Sequence, residues 1–235
     1  YIGLTPFNAA LGTISTVNGR AIVEARKSDP PRVIPTFIKG DDRSGKYEGA
    51  YVSEPKPGFQ ENVISFDANS LYPSVMVTLN LSPETKVGSI VGTDNGRVYI
   101  KTVNNKDIEM SYGDFNKWCT KNDIAVTRAK KLFSQKTKGI FPRITDHFYD
   151  IRKGKKQQWN EAREEKHQLS LELKKEKNQT EKEKLKKKII ETQLKIDQLW
   201  IWQFTLKILI NRIYGYFGNK NSAMADGDIA RSITL

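Results

Sequence analysis

Apolar and polar positions follow two regimes along this chain, and the border between them lies near Pro142. Before it, short apolar runs alternate with turn signals. Val63-Ile64-Ser65-Phe66 is a β-branched run that predicts a buried strand, and Asp67 closes it. Pro73, a few residues on, predicts the start of a helical turn. Alternation in Val98-Tyr99-Ile100-Lys101-Thr102-Val103 predicts a second strand. Ser111 then predicts an N-cap for a short helix that carries Phe115 and Trp118. After Pro142 helical spacing takes over, with Phe148, Ile151, Lys155 and Trp159 marking a first long helix and Leu169, Leu171 and Leu173 its far end. Asn178-Gln179 breaks the run. Thr180-Glu181-Lys182-Glu183 has the shape of a capping box and predicts a second helix, carrying Leu185, Ile189, Leu194, Ile196 and Leu199 into Trp200 and Trp202. Two long helices with a short turn between them predict an antiparallel hairpin over 142–218. The predicted class is therefore α+β: a strand-bearing part over 1–141, the hairpin, and a return segment over 219–235.

Charge adds a partner class to this outline. The 235 residues carry a formal net charge of +12 and a pI near 9.6, which favours polyanions through counterion release. Residues 152–188 hold 14 Lys and Arg against 7 Asp and Glu, so the predicted hairpin supplies most of that excess. A membrane surface would attract the same charge, but no apolar run approaches the roughly 20 residues that span a bilayer. Cys119 is the single cysteine, which excludes an internal disulfide, argues against a cysteine metal site and fits a reducing compartment. No signal peptide is visible, and a chain that opens on Tyr1 rather than Met reads as a piece of something longer.

Candidate chemistry gathers in a few places. Asp67, at a predicted strand end, is a hard oxygen donor suited to Mg²⁺ held by few protein groups and by substrate phosphates, or else a helix-capping residue. Lys207, Asn211 and Tyr214 are spaced four and three apart and share one helical face, which suits a triphosphate and a base pair. A solvated amphipathic helix would give the same spacing. Arg152 and Lys156 also share a face, at the base of the first long helix. In Tyr47-Glu48-Gly49-Ala50-Tyr51, a Gly between aromatics serves a tight turn or a bulge.

Taken whole, the string Asp67-Ala68-Asn69-Ser70-Leu71-Tyr72-Pro73-Ser74 resembles the first palm motif of family B DNA polymerases at every signature position. Lys207 to Gly218, read as Lys-x-x-x-Asn-x-x-Tyr-Gly-x-x-Gly, resembles the fingers-helix motif of the same family, with Arg212 standing where Ser is usual. Tyr47 and Gly49 resemble its template-contacting loop. The segment from Pro30 to Glu84, with the Ser82-Pro83-Glu84-Thr85 turn, is most similar to T-even-type phage replicative polymerases. This resemblance implies template-directed deoxynucleotidyl transfer to a primer 3′-hydroxyl, with two Mg²⁺ ions in the complete site. It implies Asp67 and the Ala68 carbonyl as metal ligands, and the Ser70 and Leu71 amides with Arg152, Lys156 and Lys207 around the triphosphate. Asn211 joins the nucleotide site, Tyr72 lies beneath the sugar, and Tyr214 and Gly215 lie near the base pair. It also implies primer–template DNA and a deoxynucleoside triphosphate as partners, no membrane, and a viral protein at work in the cytoplasm of its host, a bacterium.

Two short motifs mimic parts of that family out of order. Asp107-Ile108-Glu109 imitates a proofreading carboxylate pair and Tyr112-Gly113-Asp114 the start of the second palm motif; they are read as a surface loop and a helix cap. The second catalytic Asp is not found by Leu235, so a second chain or segment is expected to bring the remaining palm and the thumb. Two other readings stand beside catalysis: a nucleic-acid-binding or assembly module derived from a polymerase core, and a coiled-coil scaffold over 145–205.

Overall fold

The computed structural model describes residues 12–28, 30–32, 53–68, 70–219 and 221–235. Tyr47 and Gly49 lie outside the described residues. The fold is α+β and divides into two compact units, Tyr1–Thr145 with Asn211–Leu235, and Asp146–Ile210.

In the first unit, strands β1 (Lys86–Asp94), β2 (Arg97–Thr102), β3 (Asp107–Ser111), β4 (Ile124–Val126) and β5 (Lys131–Ser134) form one antiparallel sheet in the order β3-β2-β1-β5-β4. The alternation read from 98–103 is realised in β2, whose Val98 and Ile100 point into a core with Phe115 and Leu132. Phe115 comes from α3 (Tyr112–Asn122), the third described α-helix after α1 (Thr13–Arg26) and α2 (Leu71–Thr78). The predicted N-cap holds, since the Asp114 amide donates to Ser111 Oγ at 3.2 Å. Asp107-Ile108-Glu109 is not a surface loop. It forms most of edge strand β3, where Glu109 pairs with Arg97 across the ladder.

One buried side chain organises the approach to the long helices. Asn80 follows α2 in the left-handed region (φ 53°), which Asn tolerates through its short polar side chain. Its Nδ2 donates to the carbonyls of Ser134 (2.7 Å) and Thr137 (2.9 Å), and its Oδ1 accepts from the Gly139 amide (2.8 Å). A Cβ on Gly139 would lie 2.6 Å from Ser82 Cβ, so only glycine allows this crossing. Ser82 opens the expected turn, a 3-10 segment over Pro83–Thr85, and Glu84 accepts from the Ile140 amide at the start of α4 (Ile140–Lys175). The last turns of α5 (Gln179–Phe217) also belong to this unit, where Tyr216 and Phe217 pack on Phe141. Helix α6 (Gly227–Thr234) is tied to the sheet by charge. Lys86 meets Asp226 (3.1 Å) and Asp228 (2.7 Å), and Lys131 meets Asp228 (2.9 Å).

The strand predicted over Val63–Phe66 is absent. Those residues are extended but unpaired, with Val63, Ile64 and Phe66 73%, 77% and 91% exposed. A strand needs a neighbour to take up its N–H and C=O groups. None of the five described strands is that neighbour.

The second unit holds the remainder of α4 and α5, an antiparallel helical pair joined at 176–178. The capping box at Thr180 is not what starts α5. Asn178 does, because its Oδ1 accepts from the amides of Thr180 (2.9 Å) and Glu181 (3.4 Å). Helix–helix packing rests on Ala162, Ile196, Leu199 and the partly buried Trp159. Leu171 and Leu194 are exposed instead, because the buried face follows Thr192, Ile196 and Leu199.

Candidate functional site

Asp67 and Ala68 lie exposed on the extended segment that leads into α2. Ser70 is the N-cap of that helix, in the left-handed region (φ 55°), and Leu71 is 52% exposed. Pro73 sits in the first turn, where no intrahelical N–H bond is lost, and its ring is buried. The first helical amides, at Leu71 and Tyr72, therefore lack acceptors within the helix and face a region that solvent reaches. Asp67 makes no hydrogen bond or ion pair among the described residues.

Tyr72 turns back onto α5. Its ring centroid lies 4.8 Å from that of Tyr214, with the planes tilted by 39°. Residues 142 positions apart in the sequence thus form one aromatic contact. On the same helix Asn211 and Gly215 are exposed. Among the described residues nothing lies within 4 Å of the position a Gly215 Cβ would take, so none of them accounts for a glycine there. Below Tyr214 the aromatic packing is closed: Tyr216 donates to Asn18 Oδ1 and accepts from the Met224 amide at 3.2 Å. Burial pushes the Tyr216 phenol up to about 12, with the Met224 amide pulling slightly the other way.

Within the second unit, two contacts and a shared groove set the register of α4 against α5. Lys166 Nζ donates to Gln193 (2.5 Å), and Lys195 lies 3.8 Å from Glu165. Lys155 and Gln158 share an open groove of about 450 Å³ with Lys195, Gln198 and Trp202. Carried along both helices at about 1.5 Å per residue, this register brings Arg152 level with the turn bearing Lys207, and Lys156 level with Trp202. The groove occupies one flank of the pair. With successive residues about 100° apart, Arg152 and Lys156 lie on the flank of α4 away from it, and Lys207 lies on the matching flank of α5. Lys156 and Lys207 are exposed, while Arg152 is half-buried with its Nε buried and without a partner among the described residues.

Sequence comparison agrees with the motifs. A family model described as DNA polymerase family B matches residues 22–178. The chain belongs to DNA polymerase family B. Family relatives include a DNA polymerase of Orf virus, 28% identical over 84% of this chain and 17% of its own length. DNA polymerase 1 of Pyrococcus abyssi is 25% identical over 80% of the chain and also 17% of its own length. The DNA-directed DNA polymerase of phage T4 is 36% identical over 36% of the chain and 9% of its own length. A family B DNA polymerase from Pyrobaculum calidifontis shares the fold, with a TM-score of 0.50 over 96% of this chain, 22% of that chain and 21% identity. The chain thus spans about one sixth of the length of the first two relatives.

Sequence reasoning had no signal for two features of this region. The Asn80 clamp depends on loops more than 50 residues apart, and the unpartnered Arg152 Nε depends on how α4 packs. Among the described residues, no three His, Cys, Asp or Glu side chains gather as a metal cluster, and no helix is long and apolar enough to cross a membrane.

Proposed function

We propose that this chain carries one half of a template-directed DNA polymerase site, with the first catalytic carboxylate, the nucleotide-binding face and the sugar-selecting tyrosine. The observation that carries the reading is the Tyr72–Tyr214 contact, which joins the two family motifs in one place. In this reading 142–218 are the fingers, with palm on either side, and the substrates are primer–template DNA and a deoxynucleoside triphosphate.

The residues fit a metal in part. Asp67 offers an exposed carboxylate without a competing partner among the described residues, and the Ala68 carbonyl stands beside it. A single carboxylate falls short of a two-ion site, so a second segment or chain must bring another. Mg²⁺ bound there would supply Lewis-acid stabilisation of the attacking and leaving oxygens. The chain's own residues bind and orient. The amides of Ser70 and Leu71, at a helix N-terminus, favour phosphate oxygens. Arg152 grips by its planar fork, and Lys156 and Lys207 act as point charges. Asn211 adds an amide on the same side of α5. Tyr72, propped by Tyr214, presents a ring edge where a ribose 2′-hydroxyl would collide. Gly215 leaves room for a base pair to approach the helix backbone.

The test is reconstitution. The chain alone should not extend a primer, while adding a polypeptide with the second catalytic Asp should yield metal-dependent incorporation that Asp67→Asn abolishes. In that enzyme Lys207→Ala or Arg152→Ala should raise the nucleotide KM about tenfold or more, whereas Lys186→Ala, near the hairpin tip, should leave it within about twofold. DNA binding without incorporation in the reconstituted mixture would favour a non-catalytic nucleic-acid-binding module.

A further inference from the structure

Large apolar side chains on a packed helix normally face its neighbour. On α5 that inward side is already filled by Ile196, Leu199 and Leu206, all buried. Trp200 and Phe204 point elsewhere. They stand one turn apart with ring planes 7° from parallel and centroids 5.0 Å apart, and they remain 45% and 40% exposed. Positions 200, 204, 207 and 211 recur at steps of four, three and four, so the rings continue the stripe that holds Lys207 and Asn211. Lys156 is level with them on the facing helix, on the flank away from the groove.

Each ring spends one face on the other, and both side chains stay partly exposed. A parallel π-stack in water, with Lys207 one turn beyond it on the stripe and the one nearby carboxylate, Asp197, taken up by Gln193 Nε2 at 2.7 Å, matches the demands of a nucleobase joined to phosphate. Unpaired bases stack on such rings whatever their identity, while nearby lysines meet the backbone. An apolar protein partner would use the same area but would gain nothing from parallel planes or from the flanking cations. We propose that Trp200 and Phe204 form a stacking platform for an unpaired base of single-stranded nucleic acid, with Lys156 beside it for the phosphates. The proposal deepens the polymerase reading, on which it rests for the view that this flank faces substrate. It adds a strand-holding site one to two turns along α5 from Lys207.

The experiment measures strand binding by the chain itself, so the platform and the polymerase reading can fail separately. Anisotropy of a fluorescein-labelled thymidine 12-mer at fixed salt would be compared with that of an abasic 12-mer of equal charge. The double variant Trp200→Leu/Phe204→Leu keeps apolar, helix-forming side chains and removes the flat faces. It should bind the thymidine strand about tenfold more weakly, the loss of one base stack. Its affinity for the abasic strand should be unchanged, and Trp202→Leu, on the opposite flank, should match the parent within about twofold. Circular dichroism checks the helix content, and Phe204→Leu alone serves if the double variant loses it. Equal thymidine-strand affinity in parent and variant would overturn the platform. So would an equal loss on both strands, or a change confined to self-association in sedimentation, which would make the rings a protein-docking face.

Discussion

Tyr72 touches Tyr214 because Pro73 is buried in the first turn of α2 and fixes the direction in which that turn presents its side chains. Shortening Tyr72 to Val removes the ring that blocks a 2′-hydroxyl and the contact that holds it. In a completed enzyme the preference for deoxyribonucleotides over ribonucleotides should fall by at least about tenfold, as single-turnover incorporation of each would record. Unchanged sugar discrimination would make Tyr72 a packing residue only. Gly215 gives a prediction of opposite sign for stability and function. An exposed glycine inside a helix costs about 0.5–1 kcal/mol relative to alanine, and space for a methyl is open here. Gly215→Ala should therefore raise the urea midpoint of the chain while lowering incorporation in the reconstituted enzyme.

The hairpin is where element-level forces differ most from what its composition suggests. Charge dominates the sequence there, yet packing is confined to a narrow seam of Ala162, Ile196 and Leu199 with Trp159. Long helices with so little buried area depend on their ends. Asn178→Ala removes the acceptor for two otherwise unsatisfied amides and should cost about 1 kcal/mol. Thr180→Ala should cost no more than a few tenths, since that side chain caps nothing. Urea denaturation of the two variants separates them, and equal losses would restore Thr180 as the cap.

Across the whole molecule, the sheet and α6 are locked by one charge cluster, and it makes stability depend on pH. Burial opposes the Asp228 carboxylate, but hydrogen bonds from Lys86 and Lys131 outweigh it and hold the carboxyl below its ordinary range. Its stabilisation is thus present above the unfolded value near 3.9 and is lost as pH falls through the lower folded value. Burial likewise opposes the Lys86 ammonium, and Asp226 and Asp228 outweigh it, raising its pKa. That contribution is complete below about pH 10.5 and fades as pH rises through the folded value. Tyr216, held up to about 12, adds to the alkaline loss from about pH 10 upward, because its unfolded phenol ionises first. Asp228→Asn should lower stability at pH 7 by roughly 1 kcal/mol after solvent screening, and should flatten the fall below about pH 4. A denaturation series against pH checks both, and an acid limb identical to the parent's would remove Asp228 from this account.

By itself the sequence determined what depends on neighbours along the chain. Helical periodicity and the Asn178 break delimited the two long helices, alternation located β2, Ser111 marked the cap of α3, and the two motif strings gave the family. These signals are local, so they survive without knowledge of the fold. Tertiary structure decided what depends on partners far away. Val63–Phe66 has the composition of a strand but is unpaired, because β-structure exists only with a neighbour to bond. Leu194 fits the helical period yet is exposed, because the seam turns on which side α4 lies. Asn80 gives no signal in the sequence, because its partners, the Ser134 carbonyl and the Gly139 amide, lie more than 50 residues away. Tyr72 and Tyr214, finally, belong to two separate motif strings in the sequence, and only the packing of α2 against the end of α5 brings their rings into contact.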